Sequence, residues 1–276
     1  MTTTPPTPTN PPDPNASAVH SPEPDFHARA HSFNAAAAHY AAYRPSYPPA
    51  LFDAVEELAG RPLTGARVAD IGAGTGIATA QLLARGARVT AVEPGEGMAA
   101  ELRRAHPEVA LVRGNGNALP LADSSVDLVT YAQAWHWTDP ARSLPEALRV
   151  LRPGGALALW WNRTDTDVPW QRDQAERLRV FLGVELPTSA ARGDHAPALT
   201  KDQSVTFTRR TVRWSRRIPL DAHLANLATH SVFLVRDKES TARFLARERA
   251  ELLTLFPSAE LEETYQTDLH QTPTPL

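Results

Sequence analysis

From residue 66 onward, short apolar runs alternate with stretches of helical periodicity. Ala66 to Ile71, Arg88 to Glu93, Val109 to Arg113, Val126 to Ala132 and Gly155 to Trp161 read as five strands. Their brevity and near-continuous apolar content suit strands covered on both faces. Between them, Ile77 to Arg85, Gly97 to Ala105 and Pro140 to Leu151 read as helices, the first stopped by Gly86. Strand–helix alternation implies crossover connections, hence parallel strands in an open doubly wound α/β sheet. Upstream, His31 to Tyr43 is alanine-rich and favours a helix, which Arg44-Pro45-Ser46-Tyr47-Pro48-Pro49 breaks. Ala50 to Leu58 places Leu51, Val55 and Leu58 on one helical face, and Gly60-Arg61-Pro62 ends it. Beyond Asn162, helices are predicted at Trp170–Leu182, Asp221–His230 and Lys238–Leu255, and a loop at Gly183–Thr200. Strands at Val205–Trp214 and Glu260–His270 bring the sheet to seven.

The first 25 residues break this texture. Eight of the first 24 are proline, and no Lys or Arg precedes Arg29. Such a segment buries too little surface to offset its chain entropy, so a disordered tail over 1–25 is expected, followed by one domain over 26–276. A chain of 276 residues, 42% hydrophobic and 21% charged, suffices for one sizeable core with covering elements. The net charge of −3 supplies no field for nucleic acid or an anionic membrane, and no apolar run reaches the length of a membrane span. With no cysteine there is no disulfide, thiolate catalysis or Cys-ligated zinc, which fits a cytoplasmic location. His, Asp and Glu show no metal-ligand spacing, so no metal is expected.

The candidate chemistry centres on Asp70-Ile71-Gly72-Ala73-Gly74-Thr75-Gly76. Three glycines at every second position bring bare backbone against a ligand and open a helix whose first N–H groups face it. Two cofactor classes fit such a turn. A dinucleotide fingerprint requires G-x-G-x-x-G, whereas here Gly72, Gly74 and Gly76 are followed by Ile77. An acid two residues before the first glycine repels a pyrophosphate and attracts an ammonium or sulfonium. Glu93, at the end of strand two, is placed to accept both hydroxyls of a ribose, a role common to NAD and S-adenosylmethionine. An NAD-type oxidoreductase therefore remains an alternative on the residues alone.

The segments VADIGAGTG, VTAVEP, GNGNALPLADSSVDLVT, AQAWHW and LRPGGALAL follow one another over residues 66–161. In this order and spacing the chain resembles the class I S-adenosylmethionine-dependent methyltransferases, in particular the small-molecule branch with the trans-aconitate methyltransferase-like proteins. YRPSYP before strand one and YQTDLH near the end extend the resemblance to about residues 33–270. It implies a Rossmann-like methyltransferase fold, its cofactor core at 66–161 and its covering elements at 26–60 and 163–255. It also implies methyl transfer to an O, N or C atom of a small metabolite, a natural-product intermediate, with S-adenosylhomocysteine as product. By resemblance, Asp70 and the turn Gly72, Ala73, Gly74, Thr75, Gly76 hold the methionine part. Glu93 binds the ribose, and Pro94 and Met98 line the adenine side. Asn115, where the family usually has Asp, meets the adenine amino group, and the Gly116 N–H meets a ring nitrogen. A protein that keeps this fold and cofactor without methylating is the other alternative.

Ligands of open α/β sheets sit beyond the carboxyl ends of the strands, so strand four delivers Gln133-Ala134-Trp135-His136-Trp137 to the site. Gln133 is assigned to the cofactor, Trp135 and Trp137 to the acceptor; aromatic faces also suit a sulfonium. Candidate catalytic residues are His136, as an acid or base, and Tyr40 and Tyr43, which share a face of the leading helix. That helix also supplies Phe33, and Arg44 and Tyr47 follow as candidate acceptor contacts. Arg209, Arg210, Arg213, Arg216 and Arg217 crowd one strand, read as a solvated face, an acidic-substrate site or a nucleic-acid patch. The Asn/Asp-Pro-Pro-Tyr type of motif of adenine- and glutamine-directed methyltransferases is replaced here by Gln133-Ala134-Trp135-His136.

Overall fold

The computed structural model describes residues 37–183, 205–230, 233 and 236–272. The proline-rich start, Phe33 and most of the loop predicted at Gly183–Thr200 lie outside the described residues. A helix over residues 37–43 leads into α1 (Pro49–Ala59), β1 (Arg67–Ile71), α2 (Ile77–Ala84), β2 (Arg88–Val92) and α3 (Glu96–Ala105). β3 (Ala110–Val112), β4 (Val126–Ala132), α4 (Pro140–Val150) and β5 (Leu151–Thr164) follow. The remainder is α5 (Pro169–Leu182), β6 (Thr208–Pro219), α6 (Leu220–Ala228), α7 (Lys238–Leu255) and β7 (Glu260–Gln271).

Seven strands form one sheet in the order β3-β2-β1-β4-β5-β7-β6. The first five pair in parallel, and β7 runs antiparallel to both β5 and β6. Alternate side chains feed the two faces. Val68, Val89, Leu128, Ala158 and Trp160 join Leu51, Phe52 and Val55 of α1 and Leu82 of α2 in one core. Ala69, Ile71, Val129, Tyr131, Leu157 and Leu159 join Leu144, Ala147 and Val150 of α4 in the other. Gly60, at φ +61, closes α1 in the left-handed conformation where the sequence predicts its end.

Two strands differ from their predicted bounds. β5 begins at Leu151 rather than Gly155, because Val126 pairs with Leu151 while Leu128 already pairs with Ala156. The extra residues are absorbed in a bulge at Pro153-Gly154-Gly155, where a Cβ on Gly155 would lie 2.9 Å from the Arg152 carbonyl oxygen. β6 runs to Pro219, paired residue for residue with β7. The order in which strands are added reverses at β1, which pairs in parallel with β2 on one edge and with β4 on the other. This switch point opens a crevice beyond Ile71, Val92 and Ala132, between the loops that carry the candidate residues.

Candidate active site

Gly72, Gly74 and Gly76 adopt φ of +65, +59 and +92, values that disfavour any L side chain. The Gly72 and Ala73 N–H groups donate to the Val92 carbonyl, tying the turn to the end of β2. The three glycines face different surroundings. A Cβ on Gly72 would lie 2.6 Å from Ala134 Cβ, and one on Gly76 3.2 Å from Leu102 Cγ of α3. A Cβ on Gly74 would meet nothing within 4 Å. Gly72 and Gly74 line a cavity of about 140 Å³, with Glu93, Met98, Gly116 and Tyr131 among its other walls. Gly76, Ala73 and Thr75 do not line it; Ala73 packs with Ala91 and Leu102.

Asp70 is not part of that wall either. It is wholly buried, and its two oxygens accept from Thr79 Oγ1 (2.7 Å) on α2 and Thr130 Oγ1 (2.9 Å) on β4. Through these bonds Asp70 joins β1, β4 and α2 beneath the glycine turn. Burial pushes its carboxyl up to about 6, against the two hydroxyl bonds.

Glu93 faces the cavity, 6% exposed. Its Oε2 accepts from the Gly74 N–H (2.8 Å) and its Oε1 from the Gly95 N–H (2.7 Å), so the carboxylate is fixed while each oxygen keeps accepting capacity. Burial raises its affinity for a proton, and these two bonds oppose that. Pro94, Met98, Asn115 and Gly116 line the same cavity. Gly116 lets the backbone approach Tyr131: a Cβ there would lie 2.9 Å from the Tyr131 hydroxyl. Asn115 folds its Oδ1 onto the Asn117 N–H (2.9 Å), and Asn117 Oδ1 accepts from the Asp139 N–H (2.8 Å), so both asparagines shape the loop. Tyr131 lines the cavity with a buried hydroxyl that has no partner among the described residues. The sequence places it only as a strand residue; nothing local marks its hydroxyl as part of a wall.

On the reacting side, Gln133 holds φ +55, uncommon for a side-chain-bearing residue. Its N–H donates to the Trp160 carbonyl (2.8 Å) and its Nε2 to the Tyr47 hydroxyl (3.4 Å). Tyr47 is buried between α1 and the sheet, edge-on to Trp160, and so positions Gln133 rather than lining the cavity. Residues Trp135–Trp137 form a 3-10 turn that separates three neighbours predicted to act together. Trp137 lines the cavity, and Trp135 turns into the core, its ring 4.8 Å from that of Tyr131. His136 is exposed and does not line the cavity; its Nδ1 accepts from Trp161 Nε1 (3.1 Å). Because an indole N–H only donates, that nitrogen is unprotonated and a neutral ring carries its proton on Nε2. Tyr40 reaches the cavity from the leading helix, whereas Tyr43 lies beside His39 with ring centroids 5.5 Å apart.

Arg44 points elsewhere, to a second cavity of about 70 Å³ that shares Gln133 with the first. Its remaining walls come from β5, β7, α5 and α6, with His223, Asn226, Glu263 and Tyr265 prominent. Pattern reading misses this cavity because its walls are up to 221 positions apart, from Arg44 to Tyr265. Four of the five arginines of β6 are paired with acids. Arg209 pairs with Asp268, Arg210 with Glu57, Arg213 with Asp165 and Arg216 with Glu263. Among the described residues no group of His, Asp and Glu is arranged to hold a metal ion, and no helix is long and apolar enough to cross a membrane.

A glycine turn after β1, an acid after β2 and a 3-10 turn after β4, all at one switch point, define a nucleoside-binding α/β enzyme. Residues 69–159 match the methyltransferase domain family. The chain belongs to the class I S-adenosylmethionine-dependent methyltransferases, and the oxidoreductase alternative falls. An uncharacterised methyltransferase of Mycobacterium tuberculosis is 37% identical over 228 residues, covering 81% of this chain and 86% of the relative. An uncharacterised methyltransferase-like protein of Schizosaccharomyces pombe is 37% identical over 153 residues, 55% of this chain and 58% of the relative. A solved structure from Anaeromyxobacter dehalogenans, provisionally described as a type II methyltransferase, superposes with a TM-score of 0.67. It is 29% identical and covers 84% of this chain and 99% of its own.

Proposed function

We propose that the first cavity binds S-adenosylmethionine and that the protein methylates a small molecule approaching past Gln133. The observation that carries this reading is the Glu93 carboxylate, pinned by the Gly74 and Gly95 N–H groups beside the bare backbone of Gly74. Its free lone pairs suit the two ribose hydroxyls. The Tyr131 hydroxyl, kept protonated by burial, is a donor awaiting an acceptor on the nucleoside. Tyr40 and Trp137 supply π faces toward a sulfonium. When bound, S-adenosylmethionine supplies a methyl carbon on positively charged sulfur. The chain aligns the acceptor with that carbon, excludes water and holds Gln133 at the junction of the cavities. In this reading His136 is held by Trp161 and serves as a positioning residue of the β4 turn.

Amide hydrogen exchange tests the assignment. S-adenosylhomocysteine is expected to protect the peptides containing Gly72–Gly74, Glu93–Met98 and Asn115–Gly116, and NAD to leave them unchanged. Protection confined to other segments, or conferred by NAD alone, contradicts it.

A further inference from the structure

We propose that the second cavity is the acceptor site and that it takes a compact acid carrying a hydroxyl or amino group. This rests on the cofactor reading above, which places the reacting methyl on the Gln133 side.

Two residues that line this space carry a buried polar atom without a partner among the described residues: Arg44 at Nε and Asn226 at Oδ1. Asn226 is 6% exposed, and its amide nitrogen is occupied with the Tyr265 hydroxyl (3.4 Å). Its oxygen therefore calls for a donor, since a buried acceptor left unpaired is costly. Arg44 calls for an acceptor. Its ring-stacked guanidinium lies 4.8 Å from the Tyr40 centroid and donates once, to the Thr229 carbonyl (3.3 Å), one turn beyond Asn226. No carboxylate among the described residues lies within 4.0 Å of it, unlike the paired arginines of β6.

The one acid in the wall does not compete for that charge. Glu263 Oε1 is engaged by His223 Nδ1 (2.6 Å), and Oε2 accepts from Arg216 Nε (2.6 Å) and the Tyr265 hydroxyl (2.8 Å). His230, across the cavity, is held neutral by burial and by the nearby Arg44 charge, its pKa pushed down to about 3. Among the described residues the site thus offers one cation without a carboxylate partner and one unpaired carbonyl. A carboxylate on Arg44 and an O–H or N–H on Asn226 satisfy both. The volume, about 70 Å³, is roughly half of a cavity of about 150 Å³ that takes benzene, which restricts the ligand to a short skeleton.

The test uses the full-length protein and begins with its uptake of S-adenosylhomocysteine, measured by calorimetry. Lactate, 3-hydroxybutyrate, alanine and 3-aminobutyrate are then titrated into the loaded protein beside propionate, butyrate and lactamide, with ligand-observed NMR as readout. At least one hydroxy or amino acid is expected to bind tenfold more tightly than its counterpart without that group, and lactamide not at all. Arg44→Gln should abolish the binding of acids. Asn226→Leu, which removes the unpaired buried oxygen, should erase the advantage of the hydroxyl or amine. Both variants should keep their affinity for S-adenosylhomocysteine within twofold. Binding of none of the acids, equal binding of acid and amide, or a loss in Arg44→Gln that falls on S-adenosylhomocysteine instead overturns the proposal. Absence of S-adenosylhomocysteine uptake in the wild type sinks the cofactor reading instead, and the same titrations on the unloaded protein still decide the acid site.

Discussion

Gly72 and Gly74 hold nearly the same backbone angles, φ +65 and +59, for different reasons. Gly72 is closed in by Ala134, whereas Gly74 presents its backbone to the open cavity. Gly72→Ala should cost about 2–4 kcal/mol in chemical denaturation, from left-handed strain plus overlap. Gly74→Ala should cost only about 1 kcal/mol of stability, yet weaken S-adenosylhomocysteine. Equal destabilisation by the two would contradict the distinction. Asp70 makes a pH-dependent prediction. Its carboxyl moves from an ordinary 3.8 up to about 6 in the fold, mainly through burial. Between those values the folded state holds the proton more tightly than the unfolded chain. The stability it contributes is therefore full below about pH 4 and lost as pH rises through about 6. Asp70→Asn, with hydroxyls on both sides able to donate or accept, should raise Tm by several degrees at pH 7.5 and leave it unchanged near pH 4. A lower Tm at pH 7.5 would show that the ionised form is the stabilising one.

Among the elements, β6 and β7 show what local pattern conveys and what it does not. The five-strand parallel half was legible because buried parallel strands are short apolar runs and glycines mark the turns. The Gly72–Gly76 turn and Glu93 were legible for the same reason: their signal lies within a few residues. The meaning of the β6 arginines was not, because their partners Glu57, Asp165, Glu263 and Asp268 lie 47 to 153 positions away. The bond that ties Asp70 to β4 was not legible for a like reason, since Thr130 is 60 positions distant. On an edge strand, such a run of arginines also discourages pairing with another chain. Asp268 is wholly buried under Arg163, Arg209 and Thr211. Burial pushes its carboxyl up, but bonds from Thr211, Arg163 and Arg209 outweigh it and hold it below the ordinary range. Its stabilisation is present above about pH 4 and lost as pH falls through the folded value, opposite in sign to Asp70. Asp268→Asn should cost about 2–3 kcal/mol at pH 7, less than for a stranded buried charge because both arginines reach solvent. The deficit should shrink in denaturation curves below pH 4; a constant deficit would assign it to packing.

The whole molecule places two cavities on either side of Gln133, one walled by the parallel strands' loops and one by the antiparallel strands and the later helices. Among the described residues Gln133 alone lines both, its backbone N–H held by the Trp160 carbonyl and its side-chain amide by the Tyr47 hydroxyl. In the proposed reading, this arrangement separates cofactor recognition, assigned to the glycine turn and Glu93, from acceptor recognition, assigned to Arg44, α6 and β7. It also explains why the first was readable from motifs and the second was not. The central claim is that Glu93 is the ribose clasp of the first cavity. Calorimetric titration of S-adenosylhomocysteine into the wild type and Glu93→Gln measures it directly. The account predicts one site in the wild type and a loss of roughly 10- to 100-fold in the variant, through charged hydrogen bonds. Equal affinity in the two proteins, or no uptake by the wild type, would contradict it.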